Sequence, residues 1–347
     1  QDMEFKTEIL QNNDVKIDNH YIGKINGLKL ELDLKQGALE TDIKSLKKAA
    51  RQSVSPELEK RIDNIIETKI IELSNDTKIY WNKFPIAKII PGKDYLTPNL
   101  EIIVDEMLEQ KQRQKLIDFL KKWLSEKINL ELKSLIDLRN INQKNSSIKA
   151  LAYQLYENNG VLKRDQVSDY LKSLGQEERK ILREIGVKFG RYHIYLFKLI
   201  KPEAVKLRTL LWKNFHQKYF KLNPPTFGLN FIEDKEKQNK NFMLLCGFEK
   251  FDNFFVRIDI LERLFMQIIN TNTEQKKEIK VVPEMLNLLG CNKENFVSLL
   301  KKMNYIITKK DEEFYFKYNP SKNRRNFNKK IISKENPFNI LKNLLED

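Results

Sequence analysis

Cysteine, histidine and glycine are all scarce in this chain of 347 residues, which holds 2, 3 and 11 of them. Each shortage narrows what the chain can be. Cys246 and Cys291 stand far apart with no neighbours at metal-ligand spacing, so a disulfide framework is excluded and no structural zinc site is expected. Two unpaired thiols suit a reducing compartment, and a cytoplasmic location is the expectation. With only His20, His193 and His216 available, no Ser/His/Asp or Cys/His arrangement stands out. Phosphate loops need glycine closing on Lys and Ser/Thr, so that backbone N–H groups can wrap the phosphates. Gly23-Lys24 and Gly92-Lys93 have no glycine five residues earlier and are followed by Ile25 and Asp94. No apolar run approaches the ~18 residues of a membrane helix. Gln1 to Leu10 lacks the basic-then-apolar order of a secretion signal. Because it begins at Gln rather than Met, the chain is expected to be a fragment.

Positive charge, in contrast, is plentiful. Lys and Arg number 63 against 48 acids, a formal charge of +15. That surplus favours a polyanionic partner, because each neutralised phosphate releases counterions. A Lys-, Asn- and Ile-rich composition also produces lysines that merely solvate a surface, so the position of the charge decides.

Alternation around Asn26-Gly27 predicts a hairpin over Tyr21 to Leu34. Amphipathic helices are expected at Asp42 to Ala50 and at Pro56 to Leu73, with Pro56 in a first turn. A second β segment, Lys78 to Ile90, contains Pro85 and suits an edge strand. Leu116, Phe119, Leu120, Trp123 and Leu124 recur at helical spacing and should face a core. Ile102-Ile103-Val104-Asp105-Glu106 imitates a strand that delivers a metal-binding acid pair. Without a phosphate loop, the two acids read instead as the first turn of a helix, where negative charge complements the dipole.

The second half repeats an order. Helices end at Gly175 and Gly186 before an extended stretch, Val187 to Leu196; later helices end at Gly290 and Met303 before a hairpin, Tyr305 to Tyr318. Helix, helix, helix, wing is the winged-helix order. The expected fold class is mainly α with small β hairpins, as winged-helix-like units in a multi-domain helical array. The expected domains are a mixed helical and hairpin unit at 1–143 and a winged-helix-like unit with a long basic helix at 144–222. A second winged-helix-like unit at 241–319 precedes a basic tail with an apolar end at 320–347.

Gly186 to Leu196, continuing through Leu199-Ile200-Lys201-Pro202 to Leu210-Leu211-Trp212, resembles the post-motor region of bacterial superfamily 2 helicases related to the mitochondrial RNA-degradosome helicase. His20 to Lys24, Leu46 to Arg61, Tyr80 to Gly92, Val256 to Leu264 and Asn336-Pro337-Phe338 resemble further blocks. The resemblance implies an ATP-dependent RNA or DNA helicase whose motor domains are partners in cis. ATP and Mg would belong to that motor, and no cofactor, metal or catalytic residue is expected in this chain. It also implies contact with single-stranded RNA or DNA and a partner ribonuclease, with no membrane. The rival reading is a protein-docking scaffold that tethers a helicase to a nuclease or ribosomal partner.

The nucleic-acid-binding residues expected are basic or aromatic. Read as a strand, Val187 to Leu196 places Lys188 and Tyr192 on one face and Arg191, His193 and Tyr195 on the other. Bases could stack on the tyrosines, or the tyrosines could fill a core. Lys201, Lys206, Arg208 and Lys213 line the long basic helix, Pro202 to Phe220, whose other reading is a core helix with a solvated face. Lys301, Lys302, Lys309 and Lys310 should follow a phosphate backbone, opposed by Asp311, Glu312 and Glu313 at the wing tip. Arg324, Arg325, Lys329 and Lys330 lie in an acid-free run that reads as a solvated arm.

Overall fold

The computed structural model describes residues 6–33, 40–141, 146–271 and 278–319. Two compact units emerge, Gln1–Ile136 with Glu203–Asn223, and Asp137–Pro202 with Pro224–Asp347.

In the first unit, β1 (Thr7–Ile9), β2 (Asp14–Ile17), β3 (His20–Asn26) and β4 (Lys29–Leu32) form an antiparallel meander, followed by α1 (Glu40–Thr68). The same pattern then recurs: β5 (Glu72–Leu73), β6 (Lys78–Trp81), β7 (Phe84–Ile90), β8 (Asn99–Ile102) and α2 (Gln110–Glu131). The duplication reaches the backbone. Asn13 and Thr77 both take positive φ, 70° and 72°, and their carbonyls accept the N–H groups of Ile25 and Ile89, each at 2.9 Å. Asp18-Asn19 and Asn82-Lys83 are matching two-residue turns with positive φ at both positions, the geometry that follows strand twist. Both copies bulge at the same place, beside Val15/Lys16 and Ile79/Tyr80. The extra residue, Ile22 or Ile86, is buried in the shared core.

That core joins both meanders to Val54, Leu58, Ile62 and Ile65 of α1 and to Leu116 and Leu120 of α2. Its buried positions run straight through Pro56, so α1 is one helix rather than the two expected, with the proline inside it. Pro85 lies in a central strand, not at an edge; it sits beside the bulge, where the missing N–H is tolerated. The first hairpin turns at Gly27-Leu28, one residue later than expected. Asp105 precedes α2 instead of opening it, and it is fully buried. Its carboxylate accepts from Arg51 at 2.5 Å and from the Leu30 N–H at 3.0 Å, which makes it a structural anchor.

Helix α3 (Lys133–Arg139) leads to the second unit, which begins with α4 (Ser146–Glu157), β9 (Val161–Lys163), a 3-10 turn, α5 (Ser168–Ser173), α6 (Gln176–Ile185), β10 (Val187–Phe189) and β11 (His193–Leu196). Gly186 closes α6 at φ 116°, a left-handed cap that suits glycine. The chain crosses to the first unit through α7 (Pro202–His216). It then continues the second with β12 (Phe231–Glu233), α8 (Lys240–Leu245), β13 (Phe248–Phe251), β14 (Phe254–Arg257) and α9 (Ile258–Thr271). Last come β15 (Ile279–Lys280), α10 (Pro283–Leu289), α11 (Lys293–Lys302), β16 (Tyr305–Lys310) and β17 (Glu313–Tyr318). One rule builds all three sheets of this unit: a lone strand pairs with the second strand of the hairpin that follows, giving orders β10-β11-β9, β12-β14-β13 and β15-β17-β16.

These sheets correct the expected fold class. The described residues are 48% helix and 24% strand, in five small antiparallel sheets, so the fold is α+β rather than mainly α. A winged-helix arrangement in a helical array is not shown. The strands that complete the sheets, such as β9, β12 and β15, hold only two or three residues, too few for alternation to mark them in a sequence. Among the described residues no helix is long and apolar enough to cross a membrane, and neither Cys246 nor Cys291 is in a disulfide.

Candidate nucleic-acid interface

The most heavily constrained polar site of the second unit is built on His193, which lies fully within its sheet on β11. Its Nδ1 meets Glu262 of α9 at 2.7 Å, and its Nε2 meets Glu249 of β13. Two carboxylates on opposite ring nitrogens require both nitrogens to carry protons. Burial alone would lower the imidazole pKa, but the hydrogen bonds from Glu249 and Glu262 outweigh it and push the group up to about 9. Burial likewise works against charged Glu249, yet its bonds to His193 and Lys163 hold the carboxyl below the ordinary range. The Lys163 ammonium lies 3.2 Å from Glu249.

Glu262 carries this charge pair outward to a turn. Its carboxylate accepts the N–H groups of Arg191 at 2.6 Å and Tyr192 at 2.9 Å. That approach needs a glycine at 190, since a Cβ there would lie 2.5 Å from the Glu262 carboxyl. Arg164 donates from Nη1 to the Gly190 carbonyl and from its backbone N–H to the Tyr192 carbonyl, both at 2.8 Å. Tyr192 packs edge-on against Phe265 with centroids 4.3 Å apart, and its hydroxyl meets that of Tyr305 at 2.6 Å. Burial, then the neighbouring Tyr305, raises the Tyr192 pKa far above that of an ordinary phenol.

The turn so fixed presents positive charge. Arg191 is exposed on it, and Lys188 is exposed on β10 just before it. The guanidinium groups of Arg179 and Arg183, from α6, lie over the Phe189 ring at 5.6 and 5.4 Å. Arg164 is close enough to its neighbours that its pKa is lowered, first by burial and then by repulsion from Arg179 and Arg191. Among the described residues, Arg164, Arg179, Arg183 and Arg191 form no ion pair with a carboxylate. Such a cluster can bind phosphates and do little else chemically. Its aromatic rings offer little stacking surface: Phe189 is capped by two arginines and Tyr192 is spent on internal contacts.

No family model, curated protein or solved structure matches this chain.

The residues expected from the sequence divide sharply. Lys188 and Arg191 are at the surface, the first on β10 and the second in the turn that follows, whereas His193 and Tyr195 are buried and present no face to a base. Alternation misassigned these because Val187 to Leu196 is a hairpin turning at Gly190–Tyr192, not one strand. On α7, Arg208 and Lys213 are buried; Lys213 donates to the Leu222 carbonyl at 2.9 Å, and Lys206 pairs with Glu203 at 3.7 Å. Lys201 is exposed just before that helix. Lys302, Lys309 and Lys310 face Asp252, Glu312 and Glu278 at 2.8, 3.2 and 2.7 Å, which spends most of that cluster's charge; Lys301 is exposed. Arg324, Arg325, Lys329 and Lys330 lie outside the described residues. Arg164, Arg179 and Arg183 were missed. Their only sequence signal was an Arg recurring four residues later on α6, ahead of the turn. Among the described residues no group of three His, Cys, Asp or Glu is placed to hold a metal.

Proposed function

We propose that this chain is a nucleic-acid-binding accessory region of an ATP-dependent helicase, gripping the phosphate backbone of a single strand through its second unit. One observation carries the reading: Arg164, Arg179, Arg183 and Arg191, which among the described residues form no ion pair with a carboxylate, gather at a turn that a buried Glu–His–Glu network holds in place. Like charges that repel each other are maintained at a cost, and a polyanion is the partner that offsets it. The overall charge of +15 and the resemblance of Gly186 to Trp212 to post-motor helicase segments support the same reading. The RecA-like motor and its ATP chemistry would lie with partner domains.

The mode of contact follows from the rings. With little free aromatic surface, this site holds phosphates and is indifferent to base sequence. Fluorescence anisotropy with labelled single-stranded RNA tests it. Wild type is expected to bind oligonucleotides of unrelated sequence alike, and the Arg183→Glu/Arg191→Glu variant about ten-fold or more weakly, as loss of two charge contacts requires. Equal binding by wild type and variant contradicts the reading and favours the docking-scaffold alternative.

A further inference from the structure

A second, separate site lies in the first unit, where the tip of the second meander reaches the first meander and α1. A cavity of about 380 Å³ opens there, within the range of about 300–1,000 Å³ usual for small-molecule sites. Its floor is fixed by Arg61, whose guanidinium lies 5.8 Å over the Trp81 ring. Arg61 also donates to Glu57 at 3.1 Å, the Gly27 carbonyl at 3.0 Å and Asn13 Oδ1 at 2.7 Å. Gly27 is needed for this closeness: it takes φ 62°, and a Cβ there would sit 3.0 Å from Phe84.

What the walls leave unused defines the ligand. Among the described residues the Lys60 ammonium, the Asn64 and Asn82 carboxamides and Asn13 Nδ2 make no hydrogen bond. Carboxamides supply a donor and an acceptor side by side, the pattern that pairs with a nucleobase edge. Phe84, half-buried in the wall, offers a flat surface for a heteroaromatic ring. Glu57 is engaged by Arg61, so Lys60 leaves the pocket net positive, as an attached phosphate requires.

We infer that this cavity binds one nucleotide, its base against Phe84 and the asparagine amides and its phosphate near Lys60. It belongs to the first unit and the arginine patch to the second, and the nucleotide can be free or one unit of a strand.

Saturation-transfer NMR with the four nucleoside 5′-monophosphates and the full chain tests this. Transfer to base protons is expected, and the triple variant Lys60→Ala/Asn64→Ala/Asn82→Gly should weaken binding about ten-fold, as loss of these contacts predicts. All three positions are exposed, and glycine accepts the positive φ at position 82, so the variant should keep the wild-type circular dichroism. The Arg183→Glu/Arg191→Glu variant should retain mononucleotide binding, which separates failure of this site from failure of the patch. A parallel fall in single-strand affinity in the triple variant assigns the nucleotide to a strand; unchanged strand affinity assigns a free nucleotide. No transfer from any of the four, or transfer that survives the triple variant, overturns the inference.

Discussion

At the scale of single residues, His193 has the clearest consequences. Its folded pKa of about 9 exceeds the 6.5 of a free imidazole. Its contribution to stability is therefore complete below pH 6.5 and fades as the pH rises towards 9. Glu249 works with the opposite sign: its depressed pKa adds stability above the ordinary carboxylate range, and the gain is lost as the pH falls through its lowered folded value. Thermal unfolding followed against pH should show Tm falling between about pH 6.5 and 9, and His193→Asn should remove that fall. A flat wild-type profile there would mean the imidazole is neutral. Gly190 makes the companion prediction. Gly190→Ala forces its methyl against a carboxyl held by His193 and two backbone N–H groups, and should cost about 1–3 kcal/mol in denaturant unfolding. None of this was readable from the chain alone, because Glu249 and Glu262 lie more than fifty residues from the histidine they enclose.

At the scale of elements, legibility followed length. The stripe Leu116, Leu120, Leu124 of α2 was plain in the sequence, since four turns of buried positions give a periodic signal. The helices ending at Gly186 and Gly290 were plain too, because a left-handed cap favours glycine. The duplication of meander and helix was invisible. Its copies share φ angles, bulges and turns, but few residues, with Ile22 and Ile86, Lys24 and Lys88, and Ile25 and Ile89 among those retained. Pro56 misled in the other direction. It reads as a helix start, yet the buried run from Ala50 to Ile65 overrides it. An interior proline costs roughly 3 kcal/mol relative to alanine. Pro56→Ala should therefore stabilise the first unit by about 2–3 kcal/mol, read as a higher denaturation midpoint. A lower midpoint would show that the proline occupies a break in α1.

At the scale of the whole molecule, total charge pointed towards a polyanion but not to the places its cations would take in the fold. Lysines and arginines that look alike in sequence end in different states: Arg208 and Lys213 buried on α7, Lys302 and Lys310 in ion pairs, and Arg183 on α6 and Arg191 on the fixed turn without a carboxylate partner. Only tertiary contacts sort them. The central claim is that the last group grips nucleic-acid phosphates, and the salt dependence of binding reads such contacts directly. For single strands, log Kd changes with log salt by about 0.7 per neutralised phosphate. Single-stranded RNA affinity measured from low to high salt should show a steep slope in wild type. Arg183→Ala/Arg191→Ala should flatten that slope by about 1.4, as two lost phosphate contacts require. A slope unchanged by the double substitution would contradict the account, because binding would then lie elsewhere on the protein.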